Sequence, residues 1–161
     1  MKRQQGFTLI ELIIVIVVLG ILAVTAAPQF INFSSDARES TVKGAQASIQ
    51  GAMQLVYARS LVNGTEDLSG QTVSTEGGDV DVEFGYPAAA VGGIDEAAGL
   101  SSADWTRYDS TDSGDLTANQ AAFAPEGTTP SFDGTDSCHV LYTEAANADT
   151  AATVSVNVAG C

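Results

Sequence analysis

The chain has 161 residues, enough for one domain with a modest core beside an apolar segment. Its 6 basic and 20 acidic residues give a formal net charge of −14. A surface this acidic repels phosphate backbones, so we expect no nucleic acid to bind through the bulk of it. With one histidine, two cysteines and no glycine-rich phosphate loop, the sequence offers no zinc-ligand set and little basis for catalysis. We therefore predict that the protein is not an enzyme and needs no cofactor or metal.

The first feature along the chain is an apolar run that follows a short basic leader. From Phe7 to Ala27 it is about 21 residues long, or roughly 31 Å as a helix, which matches the hydrocarbon core of a bilayer. Glu11 lies inside this run, where a charge costs roughly 2.5–3.5 kcal/mol on insertion scales. A carboxylate at such a position indicates a function.

The leader Met1–Gly6, the sequence Phe7-Thr8-Leu9-Ile10-Glu11-Leu12 and the apolar run to Pro28 together resemble the N-terminus of type IV pilins. The rest of the chain, from residues 26–32 through the head to the terminal Cys161, looks like pilins of the mannose-sensitive haemagglutinin (MSHA) type. The resemblance implies a prepilin that is cut after Gly6 and N-methylated on Phe7 by a prepilin peptidase. It also implies an inner-membrane intermediate, polymerisation by an ATPase-driven assembly machinery, and passage through an outer-membrane secretin. Filaments of this type serve in attachment and biofilm initiation.

The leader also allows a different interpretation. Lys2 and Arg3 before an apolar stretch could form an ordinary secretory signal that is cut after Ala26. Glu11 offsets part of that positive charge, and the basic segment ends at Gly6 before the apolar core. The pilin interpretation is therefore favoured, and basic residues before the segment place its N-terminus in the cytoplasm.

Beyond residue 28 the pattern predicts that the helix continues. Gly20 and Pro28 weaken or bend it but are tolerated where neighbouring helices pack. Apolar residues then recur at helical spacing up to Asn63-Gly64, a typical helix stop; they are Val42, Ala45, Ile49, Ala52 and Val56, with Met53 and Tyr57 beside them. A helix from Phe7 to Val62 would be roughly 84 Å long. Its first half must find partners outside the domain, which predicts an oligomer; the resemblance to pilins implies that this oligomer is a homopolymer.

The rest of the chain is predicted to be a β-rich head. Residues 72–75 and 79–84 flank Glu76-Gly77-Gly78 and alternate as a hairpin, with Val80, Val82 and Phe84 on the inner face. Tyr86-Pro87 should break the strand, and residues 94–100 should form one or two helical turns. Residues 109–134 read as loop, with a short strand near Phe123.

Residues 138–143 and 153–158 alternate as a second hairpin, which places Cys138 opposite Cys161 at its open end. Both cysteines belong to a chain with an export signal, so we predict one disulfide rather than two free thiols. Closing a loop of about 24 residues stabilises by roughly 3–4 kcal/mol.

Three weaker candidates stay open. Asp109, Asp112 and Asp115 offer oxygen ligands in a flexible loop, as calcium prefers, although a solvated acidic loop explains them equally. An aromatic group of Tyr86, Trp105 and Tyr108 could stack on a sugar or could belong to the core. His139 beside Cys138 is expected to be a structural strand residue rather than half of a nucleophilic pair.

The prediction is an α+β pilin subunit: a long N-terminal helix packed on an antiparallel sheet, with a disulfide-closed C-terminal region. Its segments are the removed leader 1–6, the membrane-spanning and filament-core helix 7–28, the amphipathic helix 29–63 and the head 64–161. The residues expected to act in processing are Gly6 and Phe7, and those in assembly are Glu11, Gly20 and Pro28. The alternatives are a pseudopilin of a type II secretion system and a secreted, soluble acidic binding domain.

Overall fold

A computed structural model describes residues 7–133 and 135–161, leaving out the side chains of residues 26–32. The chain divides into two compact units, Met1–Ala37 and Arg38–Cys161. The leader with Gly6 lies outside the described residues, as does the side chain of Pro28. The segment boundaries at residues 28 and 63 therefore stay predictions.

The first element is one helix, α1, which runs from Leu9 to Asn63 and includes Gly20 and Pro28. The expected helix from Phe7 to Val62 is confirmed to within two residues. It ends where Gly64 takes a left-handed φ of 68°. There the Gly64 N–H donates to the Leu61 carbonyl (3.2 Å) and the Thr65 N–H donates to the Ser60 carbonyl (3.0 Å). This pair of bonds is a Schellman motif, for which glycine is favoured because it lacks a Cβ.

The sequence predicted a membrane-spanning helix at residues 7–28. Within residues 7–133 and 135–161, no helix is both apolar enough and long enough to cross a bilayer.

Two antiparallel sheets form the head, where the sequence predicted one. The first sheet contains β1 (Gln71–Thr75), β2 (Gly78–Glu83) and β3 (Tyr86–Pro87), in that order. The register Val73↔Val80 and Thr75↔Gly78 confirms the predicted hairpin. Phe84 was expected on its inner face, but it sits in the following turn with a φ of 50°. Tyr86-Pro87 does not end the pairing, because the chain reverses at Gly85 and pairs again as β3.

The short helix α2 (Ile94–Ala98) confirms the helical turn predicted at residues 94–100. The second sheet then follows as a meander of β4 (Trp105–Tyr108), β5 (Gln120–Pro125), β6 (His139–Thr143) and β7 (Thr153–Asn157). The last two strands pair with Val140↔Val156 and Thr143↔Thr153, which confirms the C-terminal hairpin.

The short strand predicted near Phe123, within the loop-like segment 109–134, is confirmed as β5. β5 is an inner strand of the second sheet, with Ala121, Ala122, Phe123 and Ala124 all buried. Because successive residues point to opposite faces, burial of all four means that both faces are covered. The segment therefore lacks the polar alternation by which a half-buried strand is recognised. β4 was also not predicted. Its four residues are all half-buried, so the strand shows no alternation of buried and exposed positions.

The head-side part of α1 contributes to two clusters in turn. Val42, Ile49 and Met53 belong to one cluster with Phe123, Val140 and Tyr142 of the second sheet. Val56, one turn beyond Met53, belongs to a cluster with Val73, Val80 and Val82 of the first sheet. The buried stripe predicted from helical spacing is thus confirmed, and it joins both sheets through one helix.

Candidate assembly and processing site

The residues predicted to act in processing and assembly lie at the start of α1. Phe7 lies two residues before the helix and is 94% exposed. Glu11 is in the first turn. Gly20 has no atom within 4 Å of where a Cβ would stand, so that side of the helix faces open space among the described residues.

Thr8 and Glu11 form a capping box. The Thr8 N–H and the Thr8 hydroxyl both donate to Glu11 Oε2 at 2.7 Å, and the Glu11 N–H donates to Thr8 Oγ1 at 3.4 Å. Thr8 is the residue just before the helix and Glu11 is its third residue, so each satisfies a backbone donor of the other. The sequence analysis missed Thr8, although Thr-x-x-Glu before an apolar run is the pattern that marks such a cap.

The large apolar side chains that follow Thr8 on α1 point outward on every side of the helix. Their exposed fractions range from 46% at Ile13 to 77% at Val24. A helix that is apolar all round is stable only inside a larger protein assembly or in lipid. The exposed set consists of Leu9, Ile10, Leu12, Ile13, Ile14, Val15, Ile16, Val17, Val18, Leu19, Ile21, Leu22 and Val24. An exposed apolar surface of this kind is typical of contact with lipid or with other apolar helices.

In the head, the segment between the two sheets is fixed by polar contacts to the second sheet. The Ala89 N–H donates to Glu144 Oε2 (2.5 Å), and Arg107 Nη2 donates to the Ala89 carbonyl. The Tyr142 hydroxyl donates to the Pro87 carbonyl at 2.5 Å. Burial raises the pKa of Tyr142 well above its usual range and also raises the pKa of Glu144. These contacts bind the end of β3 to β4 and β6.

The disulfide-closed C-terminal region of the predicted fold is confirmed. Cys138 and Cys161 are bonded to each other, with their Cα atoms 4.8 Å apart. His139 is buried next to this bond, where its Nδ1 pairs with the Ser137 hydroxyl and its ring meets Phe132 edge-on at 5.1 Å. Burial lowers the pKa of His139. Since neither sulfur is a free thiol, His139 has no thiol nucleophile beside it to activate.

The aromatic candidates do not form one platform. Tyr86 stacks on Tyr57 with ring centroids 4.6 Å apart, while Tyr108 meets Phe132 edge-on at 5.6 Å. Trp105 packs half-buried against the main cluster. Each ring therefore has its own intramolecular role.

The first carboxylate of the acidic loop that contains Asp109, Asp112 and Asp115 is likewise engaged within the protein. Asp109 accepts bonds from the Thr111 N–H and hydroxyl and from Arg107 Nη1. These bonds, led by those from Thr111, lower the pKa of Asp109 to about 2. In the described part of the chain, no three His, Cys, Asp or Glu side chains converge as a metal site would require.

Comparison with known proteins gives matches to part of the chain. The family described as the prokaryotic N-terminal methylation motif matches residues 1–27. A major component of a type IV narrow pilus, PilA5 of Thermus thermophilus, is 44% identical over 50 residues, which is 31% of this chain and 43% of that protein. The type IV major pilin PilA of Myxococcus xanthus is 51% identical over 41 residues, or 26% of this chain and 19% of that protein.

A third relative belongs to a secretion system. The type II secretion system core protein G of Pseudomonas aeruginosa is 39% identical over 54 residues, covering 34% of this chain and 38% of that protein. The chain thus spans less than half the length of each of these relatives. No solved structure matches it.

These partial matches agree with the arrangement of the chain. A methylation motif overlaps the start of a long helix, and an antiparallel head with a C-terminal disulfide follows, which is the α+β fold expected for a pilin. Pilins are structural proteins rather than enzymes, in agreement with the absence of catalytic motifs from the sequence. The methylation motif and the pilin relatives thus make this chain similar to type IV pilins over part of its length.

Proposed function

We propose that this chain is the structural subunit of a type IV pilus and polymerises through its N-terminal helix into surface filaments. The observation that carries the proposal is the apolar, outward-facing start of α1, which lies within the matched methylation motif. Such a surface is stable only against lipid or other apolar helices. A filament core of packed helices would bury it, with the acidic heads on the outside.

In this proposal the chain is first a prepilin. A prepilin peptidase removes the leader after Gly6 and methylates the new amino group of Phe7. Before assembly, residues 7–28 hold the subunit in the inner membrane, with Lys2 and Arg3 on the cytoplasmic side. This location rests on the sequence pattern alone. The inner-membrane pilus machinery then extracts the subunit into the growing filament.

Glu11 provides the docking charge. Within one subunit, its carboxylate is held at the helix start by Thr8, which keeps it close to the position where the α-ammonium of an incoming subunit's Phe7 would arrive. Either charge alone in apolar surroundings is costly, so pairing would set the axial register of each added subunit. Gly20 and Pro28 would let the helix adjust as it leaves lipid and packs.

We further propose that the filament is a pilus of the MSHA type, which acts in adhesion and biofilm initiation. This assignment is supported by the similarity of residues 26–32 and of the terminal Cys161 to such pilins.

A second candidate is a pseudopilin of a type II secretion system, which the relative from Pseudomonas aeruginosa favours. A pseudopilin acts as a short periplasmic piston, whereas a pilin forms long surface fibres. Electron microscopy of sheared surface fractions separates the two: long fibres that contain this chain support the pilus, and their absence supports the pseudopilin. A secreted soluble domain released after Ala26 would leave no fibre and no protein that begins at Phe7.

The assembly role of Glu11 is tested by Glu11→Leu. We expect this variant to be inserted and cleaved normally but to yield few or no filaments, with Glu11→Asp intermediate. Thr8→Ala is the matched control, because it removes most of the same intrasubunit bonds and keeps the carboxylate. If Glu11 acted only as a helix cap, Thr8→Ala would assemble as poorly as Glu11→Leu. Abundant Glu11→Leu filaments of normal morphology would contradict the docking role.

A further inference from the structure

A second exposed surface lies on the head-side part of α1. Leu55, Arg59 and Val62 are spaced four and three residues apart, so they lie along one face of the helix. Leu55 is 75% exposed and Val62 is 79% exposed, and Arg59 between them is also exposed. We call these three residues the α1 stripe. Two large apolar side chains around a cation are typical of contact surfaces rather than of a solvated helix face.

Arg59 has no charge partner within the described residues. It lines an open cleft with Ser74, Thr75 and Glu76 but makes no ion pair and no side-chain hydrogen bond there. The two hydroxyls are already engaged, Ser74 with Asp79 and Thr75 with the Gly78 carbonyl. By contrast, Lys43 on the same helix pairs with Glu39, and Arg107 pairs with Asp109. The α1 stripe therefore offers a positive charge that the subunit does not satisfy.

The rest of the chain offers the complementary charge. Beyond α1, residues 64–161 contain one basic residue, Arg107, among many acidic ones. Arg107 is itself largely buried. A second copy of this head therefore presents an almost purely negative surface, and in a homopolymer that surface surrounds every subunit. Opposite potentials across an interface favour encounter and fix register.

We propose that the α1 stripe is a second subunit contact in the filament and that it docks against the acidic surface of the head of a neighbouring copy. The proposal rests on the proposed function, since it needs a polymer. The charge pattern also disfavours one arrangement. A two-fold contact of the stripe with itself would place Arg59 against Arg59, so a helical polymer would instead use the stripe in a heterologous contact. Heterologous contacts that do not close generate helical filaments, which is the assembly that the N-terminal helix requires.

The contact is tested with two variants that each remove one cation from the same helix, Arg59→Gln and Lys43→Gln. We expect Arg59→Gln to be cleaved normally, to keep its disulfide, and to give about tenfold fewer sheared filaments at low salt than Lys43→Gln. The difference should shrink near 1 M salt, where the Debye length falls to roughly 3 Å. Equal filament yields for the two variants at low salt would overturn the proposal.

The occupant is identified by photo-crosslinking in intact filaments whose subunits carry benzoylphenylalanine in place of Leu55 and no other change. The expected product is a dimer of this chain in which residue 55 is joined to a peptide from residues 64–161 of the second copy. Adducts with lipid or with another protein, or no adduct at all, would overturn the proposal. If the unsubstituted chain formed no filaments, the proposed function itself would fail, and that result is distinct from either of these.

Discussion

The hydroxyl of Tyr142 should be a principal link between the two sheets of the head. Tyr142 is fully buried in β6, and its hydroxyl donates to the carbonyl of Pro87 at the end of β3, 55 residues earlier in the chain. Tyr142→Phe removes this donor and keeps the ring, so apolar packing is retained. Pro87 is also buried, and its carbonyl would then lose its partner away from water.

The expected loss follows from that burial. A buried acceptor left without its hydrogen bond costs about 1–3 kcal/mol, more than the net value of an exposed bond. For a head of this size, each kcal/mol shifts the melting temperature by roughly 4 °C, so we expect a decrease of about 4–12 °C. Tyr108→Phe is the matched control, because its hydroxyl makes a longer, half-buried bond of 3.3 Å to the Thr128 carbonyl. That control should lose about 0.5–1 kcal/mol.

The assay is thermal and urea unfolding of the full chain in detergent, followed by near-ultraviolet circular dichroism. Tyr142→Phe should lower the unfolding midpoint without changing the denaturant slope, as expected when stability alone changes. Equal stability of Tyr142→Phe and Tyr108→Phe would refute the claim that this bond links the sheets.

Three further perturbations address the disulfide, the buried histidine and the processing site. Replacing both cysteines, Cys138→Ala with Cys161→Ala, should lower the free energy of unfolding by about 3–4 kcal/mol in urea titrations; thiol labelling of both cysteines in native unreduced protein would contradict the bond. Because burial holds the pKa of His139 below its unfolded value near 6.5, the unfolded chain binds the extra proton, and stability should fall as pH decreases from about 7 to 5. His139→Gln should reduce the dependence of the melting temperature on pH over that range. An unchanged pH dependence would exclude His139 as its source. Gly6→Val should leave full-length prepilin in membranes and no filaments, as read by immunoblotting, whereas normal cleavage would rule out the proposed site.

Helical periodicity was the most reliable guide to this fold. The spacing of Val42, Ile49 and Val56 predicted which face of α1 is buried, and Asn63-Gly64 predicted where the helix ends. Both features are local, since the helix repeat and the left-handed glycine are set by residues within one or two turns. The two hairpins could also be predicted from the sequence, because alternation and turn residues fix their register.

The parts that sequence reasoning missed depend on contacts between distant segments. A strand was predicted near Phe123, but the inner position of β5 in the sheet was not, because Ala121, Ala122 and Ala124 have low strand propensity and are buried on both faces. The division into two sheets was also not predicted: β3 ends at Pro87, whose carbonyl accepts a bond from Tyr142, 55 residues later in the chain. The sequence likewise did not identify Arg107 and Glu144 as partners of Ala89, since each lies far from it in the chain.

At the candidate site, the sequence predicted the residues and the structure added their surroundings. Glu11 stood out because a charge interrupts an apolar run, but the role of Thr8 became visible only through its bonds to that carboxylate. The α1 stripe was not predicted, because Leu55 and Val62 are recognisable as exposed only once the opposite face of the helix is known to be buried.

The central claim is that processing at Gly6 releases a subunit that polymerises through α1. It is tested most directly by mass spectrometry of the intact protein recovered from sheared surface filaments. The account predicts one species that begins at N-methylated Phe7, with Cys138 and Cys161 two hydrogen masses short of the reduced form. A protein that begins at Ala27 and is found only in the soluble fraction would contradict it.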